Sequence, residues 1–369
     1  MKQTTQGKRR AWFAGILLVC GNLLVAGVGY LVARLTHSGD GPIDLAVTRA
    51  GGEAPPFYDL IFDAEAVEGM HEALLPDPVT GRRPRPLYRA TPTAGPHDVL
   101  GFRNLAVPDQ ADVIVFGDSQ TYGWGVPFEA TWPRQLELAS GRSVYSMALG
   151  GWAGAQYRYL FDKALQLRPQ QVLVALYMGN DSIDTLRQVY TVDVFAPYRI
   201  DGVRSLDELD LKLPRSEAVE VRFGDEAIAF TPAVRWFVND RSRDAVRVGY
   251  RLLAELSSSL AAAAEAAGVK VAFLIVPTKE TVFAPRAARD GVVLPQQFRD
   301  VVEAEAVNAA ELIAALHATG HVVVDATEPL QRAVLDGVRA YPLDKDGHPN
   351  GDGYRVIAEC AAAALRRSR

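Results

Sequence analysis

From residue 111 to the C-terminus, short apolar runs alternate with segments of helical length and period. Residues 113–116, 143–148, 171–177, 269–276 and 321–325 read as strands. Residues 129–140, 153–167, 243–267, 296–318 and 351–365 read as helices. Val113–Phe116 is apolar throughout, as a strand buried on both faces is. Five strands separated by helices predict one parallel sheet covered on both sides, a flavodoxin-like three-layer α/β/α sandwich. Ligands of open α/β sheets bind outside the carboxyl ends of the strands, so the chemistry of this chain is to be sought just after each apolar run.

The alternation stops short of both the N-terminus and one internal region. Residues 11–33 carry no charge, and Asn22 is their one strongly polar side chain. As a helix, about 23 residues span roughly 34 Å, enough for a hydrocarbon layer of about 30 Å. Lys2, Lys8, Arg9 and Arg10 precede this stretch, whereas only Arg34 and His37 follow it closely. The bias places residues 1–10 in the cytoplasm and everything after the 11–34 anchor outside it, as expected of a single-pass protein of a bacterial inner membrane with a periplasmic or extracellular domain. A cleavable signal peptide has a shorter apolar core, so a retained anchor is the expectation. Residues 35–110, rich in Gly and Pro, read as a stalk and an N-terminal arm lying on a domain that spans 111–369. Residues 184–240 read as an insertion that shapes or lids a pocket, with a hairpin in 219–230 around Gly224-Asp225.

Charge and cysteine content exclude several classes. The chain's formal charge of −5, less the four N-terminal cations, leaves −9 for residues 11–369, with no basic stripe, so nucleic acid is not an expected partner. Of the two cysteines, Cys20 lies in the apolar stretch and Cys360 in the last helix, which rules out an intrachain disulfide. No cluster has metal-ligand spacing, and no cofactor is expected.

Four short blocks follow strands in order. Gly117-Asp118-Ser119, with Thr121 and Gly123, ends the first strand and puts a serine at the sheet's carboxyl edge. Leu149-Gly150-Gly151-Trp152 follows the second, and Met178-Gly179-Asn180-Asp181 the third. A nucleophilic serine needs a base, a group to orient that base, and donors for the oxyanion. Of six histidines, His37 borders the apolar stretch, His71 and His97 lie in the arm, His317 closes a helix and His321 opens a strand. His348 remains, in a turn-rich loop after the last strand. Asp346, two positions earlier, projects to the same side of an extended segment and so can hold the imidazole, with Asp344 as an alternative. A glycine N–H in Gly150-Gly151 or at Gly179, the Asn180 amide and the Ser119 N–H are candidate oxyanion donors.

These blocks resemble those of the SGNH hydrolases, the GDSL-like superfamily of esterases and lipases: Gly117-Asp118-Ser119, then Gly151, then Gly179-Asn180-Asp181, then Asp346, His348, Asn350 and Gly353. The resemblance covers about residues 100–369. It implies Ser119 as nucleophile, His348 as base, Asp346 as its orienter, and Ser119, Gly151 and Asn180 as the oxyanion hole. In the common pattern an aspartate stands three residues before the histidine, where this chain has Lys345. The Asp-x-His spacing, and Pro277-Thr278-Lys279-Glu280, instead resemble the periplasmic O-acetyltransferases of alginate and related polysaccharides. Trp124 and Lys279 are candidate substrate contacts.

The expectation is therefore a membrane-anchored extracytoplasmic serine ester hydrolase acting on O-acyl, chiefly acetyl, esters, for which a cell-envelope polysaccharide is a candidate carrier. One alternative is a polysaccharide O-acetyltransferase using the same three residues, with a membrane-bound acyl donor protein as partner. The other is a non-catalytic carbohydrate-binding module.

Overall fold

The computed structural model describes residues 73–89 and 93–368. The expected anchor and cytoplasmic tail lie outside the described residues, as do His37, His71 and Cys20. No helix among the described residues is long and apolar enough to cross a membrane.

Among the described residues, nine strands occur in three sheets. In chain order they are β1 (Leu74–Asp77), β2 (Gly81–Pro84), β3 (Val113–Gly117), β4 (Val144–Ala148), β5 (Gln171–Tyr177), β6 (Val219–Phe223), β7 (Glu226–Phe230), β8 (Lys270–Val276) and β9 (Val322–Asp325). β1 and β2 form one antiparallel pair, and β6 and β7 another. The central sheet has the order β4-β3-β5-β8-β9 and is parallel throughout. Counted along its own five strands this is 2-1-3-4-5, the flavodoxin-like order, in which the chain reverses direction of travel across the sheet between β3 and β5. Every residue of β3 and of β5 is buried, as a parallel sheet with both faces covered demands.

Alternate side chains of each strand feed two cores. Val113, Val115, Leu173, Ala175, Ala272 and Leu274 face the helices Trp132–Ser140, Lys279–Arg289, Thr327–Leu335 and Gly351–Arg367. On the other face Phe116 stacks on Tyr157 of the helix Gly154–Ala164, its ring centroid 6.5 Å away. The helices Asp181–Thr191 and Asp244–Ala266 complete that side. Burying each large aliphatic or aromatic side chain is worth about 1.5–3 kcal/mol, so the sheet is the most resistant part of the fold.

The five expected strands lie within a residue of their observed ends. Three helices of nine residues or more were not expected, Asp181–Thr191, Lys279–Arg289 and Thr327–Leu335, nor were the shorter Ser119–Tyr122 and Pro232–Asn239. The first changes the reading of the insertion, because it is the regular crossover helix after β5, and irregular chain begins only at Val192. The β6–β7 hairpin does form. It lies against the core and does not hang free: Phe223 and Phe230 pack on Phe283, and Phe230 also on Phe298.

Candidate active site

Ser119 is set by a sharp reversal at the end of β3. Gly117 ends the strand, and a Cβ there would stand 1.9 Å from Thr121 Oγ1, so the chain can fold back so tightly only through glycine. Asp118 then caps the one-turn helix Ser119–Tyr122, its Oδ1 accepting from the Gln120 N–H at 2.8 Å. Gly123, at φ 79°, ends that turn with its N–H on the Ser119 carbonyl at 3.0 Å. Ser119 is the first residue after the cap and retains 7% exposure.

His348 arrives from the opposite end of the chain, in the loop between Thr327–Leu335 and Gly351–Arg367. Its Nε2 lies 2.8 Å from Ser119 Oγ, and its Nδ1 lies 2.6 Å from Asp346 Oδ1. Asp346 Oδ1 also accepts the backbone N–H of His348 at 3.0 Å. The same oxygen thus fixes both the loop and the ring, which explains how an i, i+2 carboxylate can serve. Burial pushes the Asp346 carboxyl up, but the electrostatic pull of the His348 ring, the two hydrogen bonds from His348 and the Lys279 ammonium outweigh it and hold the group below the usual carboxylate range. An ionised carboxylate only accepts, so Nδ1 carries the ring proton and Nε2 is left to accept from the Ser119 hydroxyl. Asp344 does not compete for the imidazole: it is exposed, and its Oδ1 takes the Asp346 N–H at 2.9 Å, closing the preceding turn. Asn350 serves as a helix cap, accepting from the N–H groups of Asp352 and Gly353.

The candidate oxyanion donors flank Ser119 because β4 and β5 flank β3. Gly151 follows β4 at φ 76°, a left-handed conformation that a side chain would strain. Among the described residues neither the Gly151 nor the Ser119 N–H has an acceptor. Asn180 caps the helix after β5, and its Nδ2 donates to Asp184 Oδ2 at 2.7 Å, which orients the amide and leaves a second N–H. Behind the site lie three buried carboxyls, Asp118, Asp181 and Asp184. Burial raises all three above the usual carboxylate range, Asp118 and Asp184 to about 6. Asp181 accepts from the Tyr177 N–H and the Tyr157 hydroxyl, tying the end of β5 to the helix beneath it.

Lys279 departs from its expected place. It is 1% exposed, and Nζ donates to the carbonyls of Pro342, Asp344 and Ala229 at 2.7, 2.6 and 3.0 Å, with Asp346 O at 3.3 Å. A substrate cannot reach it. Its ammonium pins the His348 loop to β7, and burial draws it down to about 8. Ala229 N–H donates to the Leu343 carbonyl at 2.8 Å, so the hairpin braces the same loop through its backbone as well. Trp124 lies where expected, in an apolar hollow at Ser119 lined also by Ala73, Leu74, Ala94, Tyr122 and Leu149.

Two arm residues carry much of the site's support: His97, set aside in the sequence, and Arg103, which the sequence did not single out. Arg103 donates to the carbonyls of Gly95, Tyr122, Gly123 and Val126 at 2.9, 3.0, 2.6 and 2.8 Å, thereby holding the turn that follows Ser119. His97 Nδ1 donates to the Arg85 carbonyl, and Nε2 accepts from the Tyr122 hydroxyl, both at 2.8 Å. Burial lowers its pKa to about 4, so it stays neutral in this role. Arg235, from the helix Pro232–Asn239, donates to the Gly179 carbonyl at 2.9 Å and stands over the Tyr177 ring. An internal arginine in an irregular region gives no sequence signal of this kind, since its partners are carbonyls set by the fold.

Fold and geometry together define an α/β protein with a hydrogen-bonded Ser-His-Asp chain at the carboxyl edge of its sheet. No protein-family model and no curated protein matches the sequence. Solved structures to which this chain is similar include a GDSL-like lipase from Bacteroides thetaiotaomicron, 14% identical, with a TM-score of 0.38 over 70% of this chain and 88% of that one. A member of the lipolytic G-D-S-L family from Veillonella parvula is 14% identical, with a TM-score of 0.39 over 69% and 98%. An acetyl xylan esterase is 12% identical, with a TM-score of 0.40 over 69% and 98%.

Proposed function

We propose that the chain is a serine ester hydrolase of the SGNH type, anchored in a bacterial inner membrane by residues 11–34 and acting outside the cytoplasm on O-acyl esters, chiefly acetyl. The unbroken chain from Ser119 Oγ through His348 to Asp346, at 2.8 and 2.6 Å, is the observation that carries the reading. Ser119 Oγ attacks the ester carbonyl as His348 Nε2 takes its proton, and Asp346 stabilises the imidazolium. The oxyanion is received by the N–H groups of Ser119 and Gly151 and by the Asn180 amide. On collapse the C–O bond breaks, and His348 returns its proton to the leaving alcohol. Water then attacks the acyl-enzyme, losing its proton to His348, and releases the carboxylic acid and free Ser119.

The same acyl-enzyme attacked by a sugar hydroxyl would yield an O-acetylated polysaccharide. The Asp-x-His spacing favours this second reading, in which a membrane-bound acyl donor is a partner. The full-length protein with p-nitrophenyl acetate, alone and with an oligosaccharide panel, separates the two. Hydrolysis predicts nitrophenol and free acetate with unmodified sugars, and loss of both products in Ser119→Ala. Transfer predicts an acetyl mass gain on one sugar. Full activity in a folded Ser119→Ala protein would overturn both.

A further inference from the structure

The arm that precedes the sheet supplies a wall of the hollow beside the nucleophile. Ala73 and Leu74, at the start of β1, and Ala94 meet Tyr122, Trp124 and Leu149 around Ser119, and no lining side chain carries a polar group other than Ser119, the Tyr122 phenol and the Trp124 indole N–H. Trp124 packs against the cluster of Ala73, Tyr88 and Ala94. The hollow is small: about 10 Å³, counted as positions open to the centre of a water-sized sphere, so it admits a single group of about that size.

The wall is also fixed. Arg103 ties Gly95, next to Ala94, to the turn after Ser119. His97 ties Arg85 to Tyr122, and Trp152 Nε1 donates to the Arg82 carbonyl of β2 at 3.0 Å. Asp98 accepts the Tyr145 hydroxyl of β4 at 2.7 Å and the N–H groups of Leu100 and Phe102. Moving the arm aside would leave several of these buried groups without partners, each loss costing more than an exposed hydrogen bond would.

We infer that Ala73, Leu74 and Ala94 of the arm form the acyl-binding wall of this site and limit the ester's acyl group to one of acetyl size. The inference rests on the esterase reading above and deepens it by naming what selects the substrate. An acetyl methyl group fits the hollow, whereas each further methylene must displace Leu74 or Trp124.

The test is the acyl-length profile of the full-length protein on p-nitrophenyl acetate, butyrate and octanoate, with Leu74→Ala and Trp124→Ala alongside. Discrimination of roughly tenfold or more per added methylene is expected, so kcat/KM for acetate should exceed that for butyrate by about a hundredfold. Either truncation should raise the butyrate-to-acetate ratio by about tenfold or more. The native profile needs no variant, and Ala94→Leu, which fills the hollow, should depress acetate turnover itself. Equal turnover of all three esters by the native protein would overturn the inference while leaving the esterase reading intact, as would truncations that lower all three rates in parallel. No Ser119-dependent turnover of any ester would overturn both.

Discussion

At the scale of single residues, the site is assembled from side chains whose roles follow from their partners. Asp346 is ionised, accepts twice from His348 through one oxygen, and thereby fixes the tautomer that leaves Nε2 facing Ser119. Asp346→Asn keeps the shape but offers an amide whose N–H can face Nδ1, favouring the wrong tautomer. We expect kcat for p-nitrophenyl acetate to fall by about 10³–10⁴-fold with KM little changed. A fall of less than tenfold would mean that Asp346 does not orient the base. Ser119 and His348 were legible in the sequence because a strand end and chain order constrain them. Lys279 was not, because whether a lysine meets substrate or backbone depends on where residues 342–346 return in space. His97 and Arg103 were equally hidden: their partners are main-chain carbonyls and one tyrosine hydroxyl, which leave no mark on residue spacing.

At the scale of elements, the strands were legible because full burial makes their composition uniform. Both 23-residue helices, Asp244–Ala266 and Gln296–Ala318, were legible from their length and period. The three longer missed helices each follow a strand directly, and two of them carry a residue that interrupts a helical pattern, Pro285 inside Lys279–Arg289 and Pro329 near the start of Thr327–Leu335. Polar first turns hid the third, since Asp181 and Asp184 read as loop residues until burial and capping are known. The region expected to shape or lid the pocket braces the loop that carries the base. Its hairpin offers Ala229 to both Lys279 and Leu343, so the irregular insertion is a brace for the His348 loop. The arm, expected to lie on the domain, contributes a strand pair and buried polar contacts that reach the nucleophile's own turn.

At the scale of the molecule, the site is built over buried carboxyls that favour their protonated forms. Burial raises Asp118 and Asp184 to about 6, Glu305 to about 7, and Asp181 as well. Over pH 4 to 7 the folded protein therefore holds protons that the unfolded chain has released, and the stability these groups confer is lost as pH rises. His97, lowered to about 4, and His321, also lowered by burial, work in the opposite direction below about 6.5, because the unfolded chain is the better proton binder there. Two such groups against five carboxyls, Asp98 being raised by burial as well, leave a net fall. The urea midpoint of the full-length protein should be highest near pH 4 and decrease toward pH 7.5; a midpoint that rises over that range would contradict the assignment. Asp346, with its lowered pKa, acts only on the acid side of this window.

The central claim is that Ser119 is a nucleophile activated by His348. Its most direct measurement is intact-protein and peptide mass spectrometry of the full-length chain after treatment with a fluorophosphonate, which phosphonylates activated serine hydroxyls with release of fluoride. One adduct, mapped to Ser119 and lost or strongly slowed in folded His348→Ala, is the predicted result. An unlabelled protein, or an adduct on another residue with Ser119 untouched, would contradict the account.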